Sequence, residues 1–101
     1  MLIYNITTKV LHQIATGWLD WVRDEYIPQA MASGCVSSAR ILRLEDAEDE
    51  DGPTFAIQLE IPDRKAFETY LQNFAEAAVQ QSFARWGNQF ITFKSVLSVV
   101  N

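Results

Sequence analysis

The sequence predicts an α+β fold in which a four-stranded antiparallel sheet carries helical segments on one face. Four segments alternate apolar and polar residues, as half-buried strands do. Two other segments repeat apolar residues at the i, i+3, i+4 spacing of amphipathic helices. Along the chain these segments follow the order βαββαβ, which is the pattern of ferredoxin-like folds. Because crossovers are right-handed, we expect the first and third strands in the centre and both helical segments on the same face.

Length and composition indicate one globular domain over residues 1–101. A chain of 101 residues, 49% of them hydrophobic, can form one core. No apolar run approaches the ~20 residues of a membrane span, and the N-terminus lacks the basic and apolar regions of a signal peptide. One cysteine and one histidine can form neither a zinc site nor an internal disulfide. We therefore expect a cytoplasmic protein without a metal or another cofactor, and no membrane partner.

The net charge of −5 is concentrated in one loop. Six of the thirteen acidic residues lie between Glu45 and Asp51, and the other seven nearly balance the eight lysines and arginines. The body of the protein therefore lacks the basic surface of a nucleic-acid-binding protein, and we expect no nucleic-acid partner. The loop also lacks the glycine and the closing glutamate of a calcium loop. We expect it to be solvated and mobile.

The first strand is predicted over Leu2–Val10, and the first helix begins between residues 12 and 16 and ends at Gly34. The glycine suits the left-handed position that follows a helix. Pro28 lacks an N–H and crowds the carbonyl group four residues before it, so we expect a kink near Asp24.

The next two strands are predicted over Val36–Glu45 and Thr54–Ile61, and the acidic loop joins them as a hairpin. The later strand alternates most regularly of all the segments. The earlier strand requires a bulge if Arg40 and Arg43 are to point to the same side.

The second helical segment is predicted to begin after Asp63, which is placed to cap its N-terminus, and to end at Gly87. Its apolar stripe changes phase partway, which favours a break near Asn73. The last strand is predicted over Phe90–Val100. We assign one side of this strand to the core, namely Ile91, Phe93, Leu97 and Val99.

One face of the predicted sheet has no helix of its own chain to cover it. This face is too mixed for solvent alone and too polar for a dry core, so we expect a homodimer formed through it. Its residues are Ile3, Asn5, Thr7, Ala56, Gln58, Thr92 and Lys94.

Six residues form a candidate ligand-binding group of amides, aromatic rings and one carboxylate. Amides on neighbouring strands could hold a polar ligand, and indole rings could stack on a planar one. The carboxylate, predicted on the apolar half of the first helix, could transfer protons if it is buried. In the alternative interpretation the two amides bond each other and the dimer partner, while the tryptophans fill the core. The six are Asn5, Trp18, Trp21, Glu25, Tyr26 and Gln58; no catalytic residue can be assigned.

Short motifs are spread over nearly the whole chain: Ile3-Tyr4-Asn5, Trp18-x-x-Trp21, Tyr26-Ile27-Pro28, Gly34, Arg40-Ile41-Leu42-Arg43-Leu44, Gly52-Pro53-Thr54-Phe55-Ala56 and Trp86-Gly87-Asn88-Gln89-Phe90. Together they resemble a small bacterial family described as a domain of unknown function. That family is itself similar to the dimeric α/β-barrel superfamily, in which two ferredoxin-like sheets face each other and close a barrel. The resemblance implies a homodimer formed through the open sheet face.

The superfamily includes cofactor-free monooxygenases, haem-degrading enzymes, polyketide cyclases and stress-induced proteins, so the resemblance leaves three functions open. The chain could be a homodimeric module that binds a small molecule between sheet and helices. It could instead be a cofactor-independent monooxygenase or isomerase acting on a small ring compound, or an interaction module without a ligand. Related sequences often carry histidine where this chain has Tyr26, so a role that rests on an imidazole is not carried over. Fold similarity alone does not assign a reaction.

Overall fold

The computed structural model describes residues 1–101 and confirms the predicted order of strands and helices. The strands are β1 (Leu2–Val10), β2 (Ser38–Arg43), β3 (Thr54–Ile61) and β4 (Phe90–Ser98). They form one antiparallel sheet in the order β2-β3-β1-β4, so the first and third strands are central, as in ferredoxin-like folds.

Two long helices, each interrupted by one π-helical turn, lie between the strands. Helix α1 consists of Ala15–Trp21, the π-helical turn Val22–Tyr26, and Ile27–Ala32, and a 3₁₀ turn at His12–Ile14 precedes it. Helix α2 consists of Arg64–Tyr70, the π-helical turn Leu71–Ala75, and Glu76–Trp86. Neither helix is sufficiently long and apolar to cross a membrane.

The hydrophobic core lies between the sheet and the two helices. Along β1 every second side chain is buried, from Leu2 to Val10, and β3 alternates in the same way between Phe55 and Ile61. The helices contribute aromatic rings to this core, including Trp18 of α1 and Phe67 of α2. The period-two burial of the central strands therefore confirms the predicted helix-facing side of β1 and β3.

The kink expected from Pro28 takes the form of the π-helical turn in α1. A proline ring crowds the carbonyl group four residues earlier, here that of Asp24. The helix widens at this point, because the N–H of Ile27 donates to the carbonyl of Val22, five residues back. Glu25, predicted on the apolar half of a regular helix, is exposed, so the burial on which its proton-transfer role depends is not met.

A second π-helical turn stands where the sequence favours a break near Asn73. The helix is continuous from Arg64 to Trp86, so the favoured break near Asn73 is absent. The phase change behind it is nevertheless real, because a π-helical turn inserts an extra residue into the apolar stripe. The predicted cap is confirmed, since the Asp63 carboxylate accepts a hydrogen bond from the N–H of Ala66 at 2.8 Å.

Strand β2 is regular and contains no bulge, so Arg40 and Arg43 do not point to the same side. Its register runs without interruption from the pair Ser38 and Glu60 to the pair Arg43 and Phe55. A regular strand places residues three apart on opposite faces, which separates Arg40 from Arg43 without a bulge. The strand is also shorter than the predicted Val36–Glu45.

The orientation of β4 is the reverse of the sequence prediction. Thr92 and Lys94 pair with Thr8 and Ile6 of β1, and therefore lie on the helix-facing side. Ile91 and Phe93 lie on the open face instead and are 60% and 70% exposed. Both sides of β4 carry apolar residues, so periodicity alone cannot orient it. Pairing with β1 decides the orientation and makes the open face more apolar than predicted.

The acidic loop between β2 and β3 packs against the end of β1. The N–H of Val10 donates to the carbonyl of Pro53, and the N–H of His12 donates to that of Asp51, each at 3.1 Å. Gly52 lies between these bonds, where an added Cβ would stand only 1.8 Å from the Val10 carbonyl oxygen. Only glycine allows such a close approach of two backbones.

Side chains of the loop also reach the sheet. A carboxylate oxygen of Asp49 lies 2.8 Å from the Arg43 guanidinium, and one of Glu48 lies 3.6 Å from the Lys9 ammonium. Most of the carboxylates are exposed, as predicted, and exposed ion pairs contribute little each. The backbone at residues 51–53 is held by hydrogen bonds from Val10 and His12, and the mobility of the rest of the loop stays a prediction.

Replacing Gly52 by alanine should lower the free energy of unfolding by at least about 2 kcal/mol, because the new methyl group would collide with the Val10 carbonyl. Gly34→Ala is the matched control: its left-handed φ of 78° costs an alanine about 1 kcal/mol, but no atom lies within 4 Å of the added Cβ. Chemical denaturation of both variants measures the difference. Equal losses would contradict close packing of the loop on β1.

Candidate functional site

A cavity of about 590 Å³ lies between α1, α2 and the helix-facing side of β1 and β4. Its lining is mostly hydrophobic, with a few hydroxyl groups and one lysine. The lining residues are Tyr4, Ile6, Thr8, Trp18, Trp21, Tyr26, Ile57, Tyr70, Ala75, Ala78, Val79, Ser82, Phe83, Phe90, Ile91, Thr92, Phe93 and Lys94.

The cavity exists because the second half of α2 stands away from the sheet. No residue between Leu71 and Phe90 is buried, although this stretch carries several apolar side chains. The α2 residues that line the cavity include the small side chains of Ala75, Ala78 and Ser82, which leave the space unfilled. The first half of α2, in contrast, packs onto the sheet through Phe67 and Tyr70.

Aromatic rings form the wall of the cavity on the α1 side. The Trp18 ring stacks on Phe55, with centroids 5.6 Å apart, and Trp21 meets Trp86 edge-on at 6.3 Å. Gly17 makes room for this arrangement, since a Cβ there would lie 3.2 Å from the Trp86 ring. The Trp86 indole N–H is buried and has no hydrogen-bond partner. The wall is thus a set of fixed ring faces and edges, suited to a planar apolar molecule.

Three tyrosines meet at one end of the cavity. Burial raises the pKa of Tyr26 well above its ordinary value of 10.0, and the neighbouring phenols of Tyr70 and Tyr4 raise it further. Burial also raises the pKa of Tyr4 and of Tyr70. All three hydroxyls stay protonated at neutral pH, and those of Tyr26 and Tyr70 bond each other, which leaves two hydroxyl hydrogens to donate to an oxygen of a bound molecule.

Hydroxyl groups and a cation lie along the β4 side of the cavity. Thr8 and Thr92 face each other across β1 and β4, with their hydroxyl oxygens 3.1 Å apart. Lys94 follows on the same side of β4 and is exposed. No cluster of three or more His, Cys, Asp or Glu side chains that could hold a metal ion occurs in the structure.

A row of hydrogen bonds crosses all four strands on the opposite, open face of the sheet. The Arg40 Nε–H donates to Gln58 Oε1 at 3.0 Å, and Gln58 Nε2 donates to Asn5 Oδ1 at 3.1 Å. Asn5 Nδ2 in turn donates to the hydroxyls of Thr7 at 3.0 Å and Ser95 at 3.4 Å. We call this row the polar ladder; it satisfies both amides without a ligand.

The structure brings together three of the six candidate residues and separates the rest. The three that line the cavity are Trp18, Trp21 and Tyr26. Asn5 and Gln58 lie in the polar ladder on the other face, so they cannot share a site with the tryptophans of the same chain. The Glu25 side chain is exposed on α1 and does not line the cavity.

Sequence reasoning did not identify several cavity residues. Thr92 and Lys94 were missed because β4 was assigned the reverse orientation, and Thr8 because a threonine in a strand is unremarkable. Tyr70 reads as an ordinary core position of an amphipathic helix. One signal was available. On one side of β4, Thr92 and Lys94 lie between the apolar residues Phe90 and Val96.

Native protein should show tyrosine ionisation only above pH 10, because Tyr4, Tyr26 and Tyr70 are all the tyrosines of the chain and all have raised pKa values. The folded state holds these protons more tightly than the unfolded state. Its stability is therefore complete below pH 10 and falls as the pH rises through the folded pKa values. Absorbance titration of native and denatured protein tests this. Coincident curves with a midpoint near pH 10 would contradict it, and Tyr26→Phe should reduce the alkaline loss of stability.

Solved structures with this fold cover nearly the whole chain. HapK from Hahella chejuensis is 15% identical, with a TM-score of 0.71 over 99% of this chain and 93% of the other. A dimeric ferredoxin-like protein from an uncultured marine organism is 10% identical, with a TM-score of 0.71 over 99% and 95%. A proposed antibiotic biosynthesis monooxygenase from Deinococcus radiodurans is 12% identical, with a TM-score of 0.70 over 100% and 94%. At these identities the similarity establishes the ferredoxin-like fold alone.

A search of curated proteins finds no significant match. One family model, however, matches residues 1–100, and that range includes every strand, both helices and the whole cavity lining. The chain therefore belongs to the family described as Domain of unknown function (DUF4286).

Proposed function

We propose that the protein is a homodimeric module that binds a small, largely apolar molecule in the cavity between sheet and helices. The observation that carries this proposal is the cavity itself, whose volume of about 590 Å³ falls within the range of small-molecule sites. A purely structural module would be expected to fill such a space with side chains.

The π-helical turn in α2 supports the same assignment. Tyr26 is the last residue of the turn in α1, and Ala75 is the last residue of the turn in α2. Both residues line the cavity. π-Helical turns occur frequently at functional sites. An inserted residue lowers the stability of the helix, so such a turn is expected to be kept where its local geometry is needed. Pro28 accounts for the turn in α1, so the turn in α2, which no proline explains, is the one that favours a binding role beside the cavity.

A cofactor-independent enzyme acting on a small ring compound is the second candidate. Its support is that a structure with this fold is a proposed antibiotic biosynthesis monooxygenase. The tyrosine hydroxyls, kept protonated by burial, could stabilise a developing negative charge on a substrate oxygen. Neither the hydroxyls nor the exposed lysine supplies a buried general base, so we place binding ahead of catalysis.

The homodimer is proposed to form through the open face of the sheet. Ile91, Phe93 and Leu97 form an exposed apolar strip along β4 on this face. Solvent-exposed apolar strips of this kind are typical of interfaces. Two structures with this fold are described as dimeric ferredoxin-like proteins, which agrees with such an assembly. The polar ladder would then lie within the interface, next to the apolar strip.

Filling the cavity should abolish binding of an apolar probe. N-phenyl-1-naphthylamine is neutral and fluoresces in apolar sites, and the parent protein should bind it saturably. Ala78→Phe, on the cavity side of α2, should weaken binding at least about tenfold because the added ring occupies the space.

Ala84→Phe is the control for this experiment, since Ala84 is exposed on the same helix and does not line the cavity. It should bind the probe as the parent does, and circular dichroism should show that both variants are folded. Failure of the parent to bind any apolar probe, or equal binding by both variants, would refute the proposed site.

A charge in the apolar strip should dissociate the dimer. The parent should elute with about twice the 11.5 kDa chain mass in size exclusion with light scattering. Phe93→Glu should shift it to the monomer, because burying an unpaired carboxylate in an interface is costly. Leu71→Glu, an exposed position on α2, should remain dimeric. A parent that is monomeric, or a Phe93→Glu variant that stays dimeric, would refute an interface on this face.

A further inference from the structure

Lys94 is an unpaired cation beside an apolar cavity. The ion pairs of the structure are Lys9–Glu48, Arg23–Asp20 and Arg43–Asp49, and Lys94 belongs to none of them. It also makes no side-chain hydrogen bond, and no acidic residue lines the cavity. A positive charge is therefore available at this place without a carboxylate of the chain to neutralise it.

The position of Lys94 in the sheet makes this charge unusual. It lies on the helix-facing side of β4, opposite Ile6 of β1, where an apolar residue would complete the core. An alternative explanation is that a lysine on an edge strand has the sole role of preventing pairing with another sheet. That alternative explains a charge at the edge, but it gives no reason for hydroxyl groups to accompany the charge on the cavity side.

Such hydroxyl groups are present. Thr92 precedes Lys94 on the same side of β4, and its hydroxyl lies 3.1 Å from that of Thr8, a residue only 2% exposed. One hydroxyl of the pair donates to the other, so one hydrogen of the pair has no partner within the chain. An ammonium group and a free hydroxyl hydrogen thus occur on two successive helix-facing residue pairs of β1 and β4, Ile6–Lys94 and Thr8–Thr92.

We infer that the cavity takes an amphipathic carboxylate, with its apolar body against the Trp18 and Trp21 rings and its carboxylate at Lys94 and the Thr8–Thr92 hydroxyls. This inference rests on the proposed binding function and specifies its ligand class. Every hydrogen-bonding group placed for the ligand's charged end can donate, which favours an anion. A cationic ligand would find no carboxylate in the lining to pair with.

The test uses two ligands of the same shape, 2-naphthoate and its neutral isostere 2-naphthamide, in which an NH2 group replaces one carboxylate oxygen. Isothermal titration calorimetry on the whole protein gives both affinities. Naphthoate should bind the parent about tenfold more tightly than naphthamide, and Lys94→Gln should remove most of that difference while leaving naphthamide binding within about twofold. Lys65→Gln, an exposed lysine at the start of α2 away from the cavity, should leave both affinities unchanged.

The outcomes separate the two proposals. If both ligands bind equally, or if Lys94→Gln weakens them by the same factor, the carboxylate inference is overturned while the binding function stands. If neither ligand nor the neutral naphthylamine probe binds, the binding function fails and takes this inference with it. If Lys94→Gln aggregates but keeps the preference for naphthoate, the lysine serves only to protect the edge strand, and the inference is overturned.

Discussion

The pairing of β4 with β1 is the constraint on which most of the structure depends. Strand β4 has apolar residues on both sides, so its own sequence is compatible with either orientation. Hydrogen bonding to β1 places Thr92 opposite Thr8 and Lys94 opposite Ile6. A shift of one residue would exchange the two faces. The side chains of Ile91 and Phe93 would then turn to the helix-facing side, and Thr92 and Lys94 would turn to the open face. The contents of the cavity and the character of the interface are therefore set by one register.

The helices are adapted to the cavity in a complementary way. Their first turns pack firmly, with Trp18 and Phe67 buried against the sheet. In α1 a residue beyond the π-helical turn, Ala30, is also buried, but in α2 no residue beyond Tyr70, which directly precedes the π-helical turn, is buried. The extra residue of a π-helical turn rotates the rest of the helix relative to its first half. In α2 this rotation coincides with small residues on the cavity side, so the empty space is a property of the helix as much as of the sheet.

Most of the fold could be predicted, because it depends on local patterns. The period-two alternation of β1 and β3, the capping Asp63 and the helix-ending Gly34 each have one simple interpretation. The errors arose where a sequence pattern has two possible interpretations. Two apolar faces left β4 ambiguous, and a phase change in α2 was interpreted as a break.

The candidate site was less predictable, for a related reason. The aromatic residues of α1 were identified because tryptophan and tyrosine are conspicuous at helical spacing. Asn5 and Gln58 were correctly paired, but the sheet has two sides and the sequence does not state which side carries the ligand. Empty space has no sequence signature at all, since it results from the distance between two packed elements.

The polar ladder has a direction, and one residue determines it. A guanidinium can only donate, so the Gln58 atom that meets Arg40 must be the amide oxygen. The Gln58 nitrogen is then turned toward Asn5, which must present its own oxygen, and the Asn5 nitrogen is left to face the hydroxyls beyond it. An exposed arginine on an edge strand thereby sets the orientation of two amides on the two central strands. Substitutions along the row should consequently have non-additive effects, because the exposed Arg40 fixes the orientation of the amides that follow it.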